Sequence, residues 1–334
     1  MGRVHRCAGV ALMVVRIGWS RSSDYGTQAA ANESYAFVFG YATIWNPQSR
    51  LHADDSPTGC SPMTRQPTIA VALYGLPRCS AATFPSIEQQ ILAPLRRCGD
   101  VRVYYHLFLQ DRINNRRSGE DGLLDRSNYD FVRNFHGRLE PPPPVANSAN
   151  YLLVLNRGDR YGDDGASIRN LLLQLHSLAA VTSLVSQDQP DMVVFARPDL
   201  LYHDPINPDV IHHILRHPRI CAIPGWQWFH GCNDRFAICG GEAAGAYGTR
   251  GRILAEYCRQ LSRPLASEGL LRFALLRAGI SIVALPLRAS RVRLGGRIRP
   301  EQFTGCCWRR PGPQLHLWRA RLAHALIRRH RRES

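Results

Sequence analysis

The sequence predicts an α/β fold: an open, mostly parallel sheet flanked by helices, in one domain. Three observations predict it. Residues 68–74 (TIAVALY) and 191–196 (DMVVFA) are nearly continuous apolar runs containing β-branched side chains, as strands buried on both faces require. Between them, residues 167–185 carry Ile168, Leu171, Leu172, Leu175, Leu178 and Ala179 along one helical face. The first strand is followed by a helical stretch and then a second strand, the β-α-β order of a parallel sheet. Hydrophobic residues make up 45% of the 334 and charged residues 20%, so a core can form and a disordered composition is excluded.

Residues 1–66 lack sustained periodicity and are expected to be a disordered or untranslated extension, with Met63 as an alternative start. Residues 7–15 are apolar and follow Arg3 and Arg6, the pattern of a short signal segment, with a poor cleavage site at 29–31. The domain is expected over 67–293. After the strand at 68–74, Gly75 turns the chain. A helix is expected over 85–98, opening near Thr83 or Phe84 with Pro85 in its first turn and stopping at Gly99. Residues 101–109 (VRVYYHLFL) read as a strand. Residues 111–144 are polar, rich in Arg and closed by four prolines, so they read as a long surface loop. Beyond 191–196, the pattern predicts a short helix at 210–216, strands at 219–223 and 236–239, helices at 242–261 and 267–278, and a last strand at 280–285.

All 42 basic residues are Arg, against 26 acidic residues, for a net charge of +16. The excess is uneven: residues 291–334 hold 12 Arg and 2 acids, whereas 67–290 hold 24 and 20. The core is therefore near neutral, and the basicity belongs to a tail expected over 294–334. Within the tail, Trp318, Leu322 and Leu326 share one face of a basic amphipathic helix over 313–332, suited either to an anionic membrane surface or to packing on the domain. No apolar run reads as the roughly 20 residues of a membrane span. None of the ten cysteines has CxxC spacing, and several sit in apolar segments, so a reduced, cytoplasmic protein is expected.

Three short segments carry candidate chemistry. Arg197-Pro198-Asp199 directly follows an apolar strand, where open α/β sheets bind ligands. Asp199 can hold a divalent metal on a diphosphate, and Arg197 can pair with phosphate; a surface Arg–Asp pair is the plainer reading. Asn233-Asp234-Arg235-Phe236 places Asp234 to orient an acceptor or act as a base, or else opens a strand with an Asx-turn. Ser267-Glu268-Gly269-Leu270 supplies another carboxylate, or simply caps a helix with Ser267.

Together these segments, with Ile69 to Arg78, Glu242 and Tyr247, resemble a family of glycosyltransferase-like proteins of bacteria and viruses encoded near surface-polysaccharide genes. The resemblance spans roughly residues 68–293. The family is similar to GT-A glycosyltransferases, which implies a GT-A-like domain with a nucleotide-binding first half. It implies transfer of a sugar from a nucleotide-sugar donor to a hydroxyl of a glycan or lipid-linked acceptor in cell-envelope or capsular polysaccharide synthesis. By position, Tyr74, Gly75 and Arg78 would line the nucleotide pocket. Arg197 and Asp199 would take the place of the metal-binding DxD motif, Asn233 and Asp234 would face the acceptor, and Glu268 would be a further acid. Only one carboxylate remains in that motif. Asp199 is then the sole candidate for manganese or magnesium, and Arg197 is the metal-free alternative that neutralises the leaving diphosphate. Asp234 is the first choice of base and Glu268 the second. Asp199→Asn and Asp234→Asn are each expected to abolish transfer with the fold intact. The setting implied is cytoplasmic, peripheral on the inner face of the membrane.

The rival readings are a basic, non-catalytic protein binding a membrane surface or nucleic acid, and an inactive relative of the transferases. Specific nucleic-acid binding is disfavoured by the near-neutral core and the lack of a recognition motif. The absence of a GxxxxGK[ST] loop after the first strand counts against a P-loop enzyme.

Overall fold

The computed structural model describes residues 43–44, 65–229 and 231–304. The expected N-terminal extension, apart from those few residues, and the tail helix over 313–332 lie outside the described residues. In chain order the elements are β1 (Thr43–Ile44), β2 (Thr68–Gly75), α1 (Ser80–Ile87), α2 (Ala93–Arg96), β3 (Asp100–Phe108), β4 (Arg112–Asn115), β5 (Glu120–Leu123), β6 (His136–Glu140), α3 (Ala149–Leu155) and α4 (Ala166–Val185). They continue with β7 (Met192–Ala196), β8 (Leu200–Tyr202), α5 (Pro208–Arg216), β9 (Ile220–Pro224), β10 (Phe236–Gly240), α6 (Gly241–Gly248), α7 (Leu254–Gln260), α8 (Ser267–Arg277), β11 (Ser281–Leu285) and β12 (Ala289–Arg291).

The main sheet runs β1-β11-β9-β10-β7-β2-β3-β6. Every neighbouring pair is parallel except the two made by β10, which is antiparallel to both β7 and β9. The α/β class with an open, mostly parallel sheet is thus as expected. Strand β2 shows why its residues are uniformly apolar. Ile69, Val71 and Leu73 face one layer with Ile87, Ile91, Leu92 and Leu95 of the α1–α2 helix. Ala70, Ala72 and Tyr74 face the other layer with Leu178, Val181 and Val185 of α4. Residues 166–188 have the length and composition of a membrane-crossing helix, contrary to the expectation that none exists. Here α4 lays its buried face on the sheet, which accounts for its apolarity without a membrane.

Several expectations need correction. The first helix begins at Ser80, not near Pro85, because the Asn128 side chain accepts the Ser80 N–H at 2.8 Å and supplies a cap from 48 residues away. Pro85 lies inside α1, and the helix shifts to π geometry at Glu88–Leu92 before resuming as α2. The expected loop at 111–144 contains the β4–β5 hairpin and the sheet-edge strand β6. These strands carry mostly polar, exposed residues, so alternation could not announce them. The expected helix at 242–261 breaks into α6 and α7 around a 3-10 turn at Arg250–Ile253. The break follows a close helix crossing, since a Cβ on Gly248 would collide with Thr182 of α4. A further strand, β12, follows the one expected to be last and pairs with β8. Residues assigned to the tail remain with the domain at least as far as Glu301, whose side chain is only 1% exposed.

Candidate active site

The chain places β3 on one side of β2 and β7 on the other, so β2 and β7 border the point where strand order reverses. Crevices at the carboxyl ends of strands at such a point are the usual ligand sites of open α/β sheets. A cleft of about 1200 Å³ lies there. Tyr74 and Gly75 end β2, Arg197 follows β7, and Phe108 ends β3; all four line it. Because β10 runs antiparallel, it brings its start to this edge. Phe236 pairs with Ala196, so Asp234 and Arg235 also reach the cleft. Arg78 and Glu268 complete the set of expected residues along its walls. Asn233 and Asp199 do not line it.

Asn233 is structural. It is 1% exposed, donates Nδ2 to the Trp226 carbonyl at 2.9 Å, and accepts the Arg235 N–H at 3.1 Å. This is the Asx-turn alternative, and it leaves no end of the amide for an acceptor.

Asp199 is buried and held by two guanidinium groups. Arg197 donates Nε and Nη2 to it at 2.9 and 2.8 Å, and Arg78 Nη1 pairs with its Oδ2. Burial alone would raise the Asp199 carboxyl, but Arg197 and Arg78 outweigh burial and hold it well below its ordinary value. Two cations already neutralise the one carboxylate, so the site does not fit a divalent metal and the expected metal role of Asp199 fails on charge. The network extends outward: Arg78 Nε lies 3.2 Å from Glu120, whose other oxygen meets Arg293 at 3.1 Å. A second group joins Arg291 and Arg235 to buried Glu301 at 2.6 and 3.7 Å. Around the cleft, then, five guanidiniums share three carboxylates.

That excess is felt. Burial, then Arg291, lowers the Arg235 guanidinium to about 10, and burial, then Arg78, lowers Arg293 to about 10. Both stay charged at neutral pH, and an incoming anion would relieve the crowding. Arg235 Nη1 has no hydrogen-bond partner among the described residues. Over the whole lining, ten Arg face four acidic residues. This charge balance is the electrostatics of an anion site.

The remaining carboxylates differ in state. Asp234 is 7% exposed and accepts Gln174 Nε2 at 2.9 Å, with Arg250 Nη2 at 3.9 Å. Its carbonyl accepts both Tyr74 Oη at 3.0 Å and Tyr247 Oη at 3.1 Å, which fixes the turn before β10. Burial would raise its carboxyl, but Arg250, Arg235 and Arg197 outweigh burial and hold it low. Glu268 shows the opposite balance: burial, then the nearby Asp234 charge, pushes its carboxyl up to about 7. Two neighbouring carboxylates whose surroundings push their protonation apart are an arrangement that acid–base chemistry can use.

What joins them is a backbone contact. The Cys232 N–H donates to the Glu268 carbonyl at 2.9 Å, and a Cβ on Gly231 would run into that same carbonyl. The first turn of α8 is therefore docked two residues before Asp234. The plainer reading of Ser267 as the cap of α8 is not met, because Ala266 occupies that position and makes no side-chain bond. Gly231→Ala is expected to cost about 2 kcal/mol of stability by overpacking and to displace Glu268. A urea titration, together with loss of the ionisation near neutral pH, checks it.

Sequence reasoning missed Glu120, Gln174, Arg250, Arg293 and Glu301. Each meets its partner across a long stretch of chain or from inside a misread element, and in a chain whose every basic residue is Arg no single Arg stands out. Glu242, part of the resemblance, is exposed and pairs with Arg219 at 3.1 Å. A scan against protein-family models finds no match to this chain, and a search of curated proteins finds no relative.

Proposed function

We propose that the protein is a glycosyltransferase that moves a sugar from a nucleotide diphosphate donor to an acceptor hydroxyl, without a metal at Asp199. The observation that carries this reading is one cleft combining a guanidinium wall in excess of its carboxylates with a protonation-split carboxylate pair. The wall suits a donor diphosphate. Arg197 commits Nε and Nη2 to Asp199, which leaves Nη1 for a phosphate oxygen, and Arg235, whose Nη1 has only a 3.7 Å contact with Glu301, lines the same cleft. As the bond from sugar carbon to phosphate oxygen breaks, these charges stabilise the departing diphosphate. The acceptor oxygen forms the new bond, and its proton passes to a carboxylate.

Glu268 is the better base of the pair, reversing the order expected from sequence. A carboxylate with a pKa near 7 takes a proton more readily than Asp234, which three guanidiniums hold ionised. Asp234 instead keeps Glu268 basic by its charge. Phe229, exposed at 53% with a left-handed backbone (φ 42), offers the cleft an aromatic face for a sugar ring. The cleft volume accommodates donor and acceptor together. A polysaccharide or lipid-linked acceptor at the cytoplasmic face of a membrane fits the sequence resemblance and the basic tail.

The test is release of nucleoside diphosphate from UDP-, GDP- and dTDP-sugars, and of CMP from CMP-sugars, by the full chain with a panel of glycan acceptors. One nucleotide class is expected to turn over, at a rate unchanged by added manganese or magnesium. Turnover of none, with the protein folded, contradicts the proposal.

A further inference from the structure

A second cluster lies outside the cleft lining, where β3, β6 and α4 meet. His106 of β3, Glu140 of β6 and His176 of α4 bring their ligand atoms within 4.8 Å of one another. His106 Nε2 is 2.9 Å and His176 Nε2 is 2.7 Å from the same oxygen, Glu140 Oε1. Ligand atoms around a single zinc-sized ion also lie about 3 Å apart, given bonds of about 2 Å.

The hydrogen bonds fix the tautomer of His106. Ser177 Oγ donates its one proton to the His106 carbonyl at 2.7 Å and accepts the Gly75 N–H at 2.8 Å. His106 Nδ1, 3.0 Å from that oxygen, can bond to it only as the donor. In the neutral ring Nε2 is then a bare lone pair. It is buried, His106 being 1% exposed, and has no hydrogen-bond partner among the described residues. It faces a carboxylate oxygen, so two acceptors oppose each other at 2.9 Å. A shared cation removes this conflict. The outer contacts are those a metal site needs: Ser177 orients His106, and Arg138 Nη2 holds the second Glu140 oxygen at 3.0 Å. Phe108 stacks on His176 and meets His106 edge-on.

The geometry points to a divalent transition-metal site formed by His106, Glu140 and His176, with zinc the leading occupant. Two imidazoles and one carboxylate suit zinc and disfavour magnesium and calcium, which select all-oxygen sets. Three protein ligands leave a further position for water on the side where His176 is 44% exposed. To ligate, the neutral His176 ring carries its one proton on Nδ1 and leaves the Nε2 lone pair for the ion. The ion would clamp the edge strand β6 to β3 and α4, and Ser177 links the clamp to Gly75 at the cleft. This inference is independent of sugar transfer.

The test is equilibrium titration of the full chain, first stripped with a chelator, with zinc, cobalt and magnesium chloride. One zinc per chain is expected, with a rise in Tm that magnesium does not produce. Bound cobalt is expected to show ligand-field bands without a thiolate charge-transfer band, which excludes the cysteines. His176→Ala and Glu140→Gln, folded by circular dichroism, are expected to lose at least tenfold in zinc affinity, and Ser177→Ala to lose about 10–100-fold as an orienting partner. No stoichiometric zinc, a thiolate spectrum, or equal affinity in His176→Ala and Glu140→Gln overturns the site. In those cases a proton on His106 Nε2 resolves the contact instead.

Discussion

Glu268→Gln is expected to lower sugar transfer by about 10²–10⁴-fold, the range for loss of a general base, while making the protein more stable at pH 8. The two effects share one cause. Burial and the Asp234 charge raise the Glu268 carboxyl to about 7 in the fold, whereas the unfolded chain ionises near 4.3. Between those values the native state keeps a proton that the unfolded state has released. The stability tied to this group is complete below about pH 4 and falls as pH rises through 7. Ionised Glu268 at pH 8 then costs on the order of 3 kcal/mol, and glutamine removes that cost. Wild-type transfer should climb with pH through about 7, and the variant should lack that limb. Paired pH–rate profiles and urea titrations at pH 5 and pH 8 check both halves. A variant that loses activity and stability together would make Glu268 a packing residue.

Asp199→Asn is expected to destabilise the fold by about 3–5 kcal/mol, the cost of breaking a buried ion pair from one side. This replaces the expectation from sequence that the substitution spares the fold. With the carboxylate gone, Arg197 and Arg78 are left facing each other in a site only 1% exposed at residue 199. The network further out cannot compensate, because Glu120 is already shared between Arg78 and Arg293. Asp199→Asn combined with Arg197→Met should recover part of the loss, since one of the two stranded charges goes as well. Chemical denaturation of the single and double variants measures it. A single variant as stable as wild type would mean that Asp199 is not the keystone of this network.

The apolar half of the molecule was legible in the sequence because burial on two faces leaves a plain signature. Strands β2, β3 and β7 and helices α4, α5 and α8 appear within a few residues of where hydrophobic periodicity places them. Elements that do not bury a whole face were not legible. The β4–β5 hairpin and β6 are polar and exposed, and the start of α1 depends on a cap from Asn128. The site was half legible for a similar reason. Strand ends announce Tyr74, Gly75 and Arg197, and turn chemistry announces the segment around Asp234. The sequence could not reveal that Asp199 turns inward to its arginines while Asp234 turns to the cleft. Nor could it reveal that Gly231 docks Glu268 beside Asp234. Those outcomes depend on long-range charge pairing and on the antiparallel direction of β10.

The guanidinium-rich cleft between the ends of β2 and β7 is expected to bind a nucleoside diphosphate without help from magnesium or manganese. Calorimetric titration of the full chain with UDP, GDP, CDP and dTDP, with and without magnesium, tests it most directly. One of the four is expected to bind, with an affinity that magnesium leaves unchanged and that Arg235→Met weakens at least tenfold. Failure of all four to bind, or binding that appears only with magnesium, would contradict it.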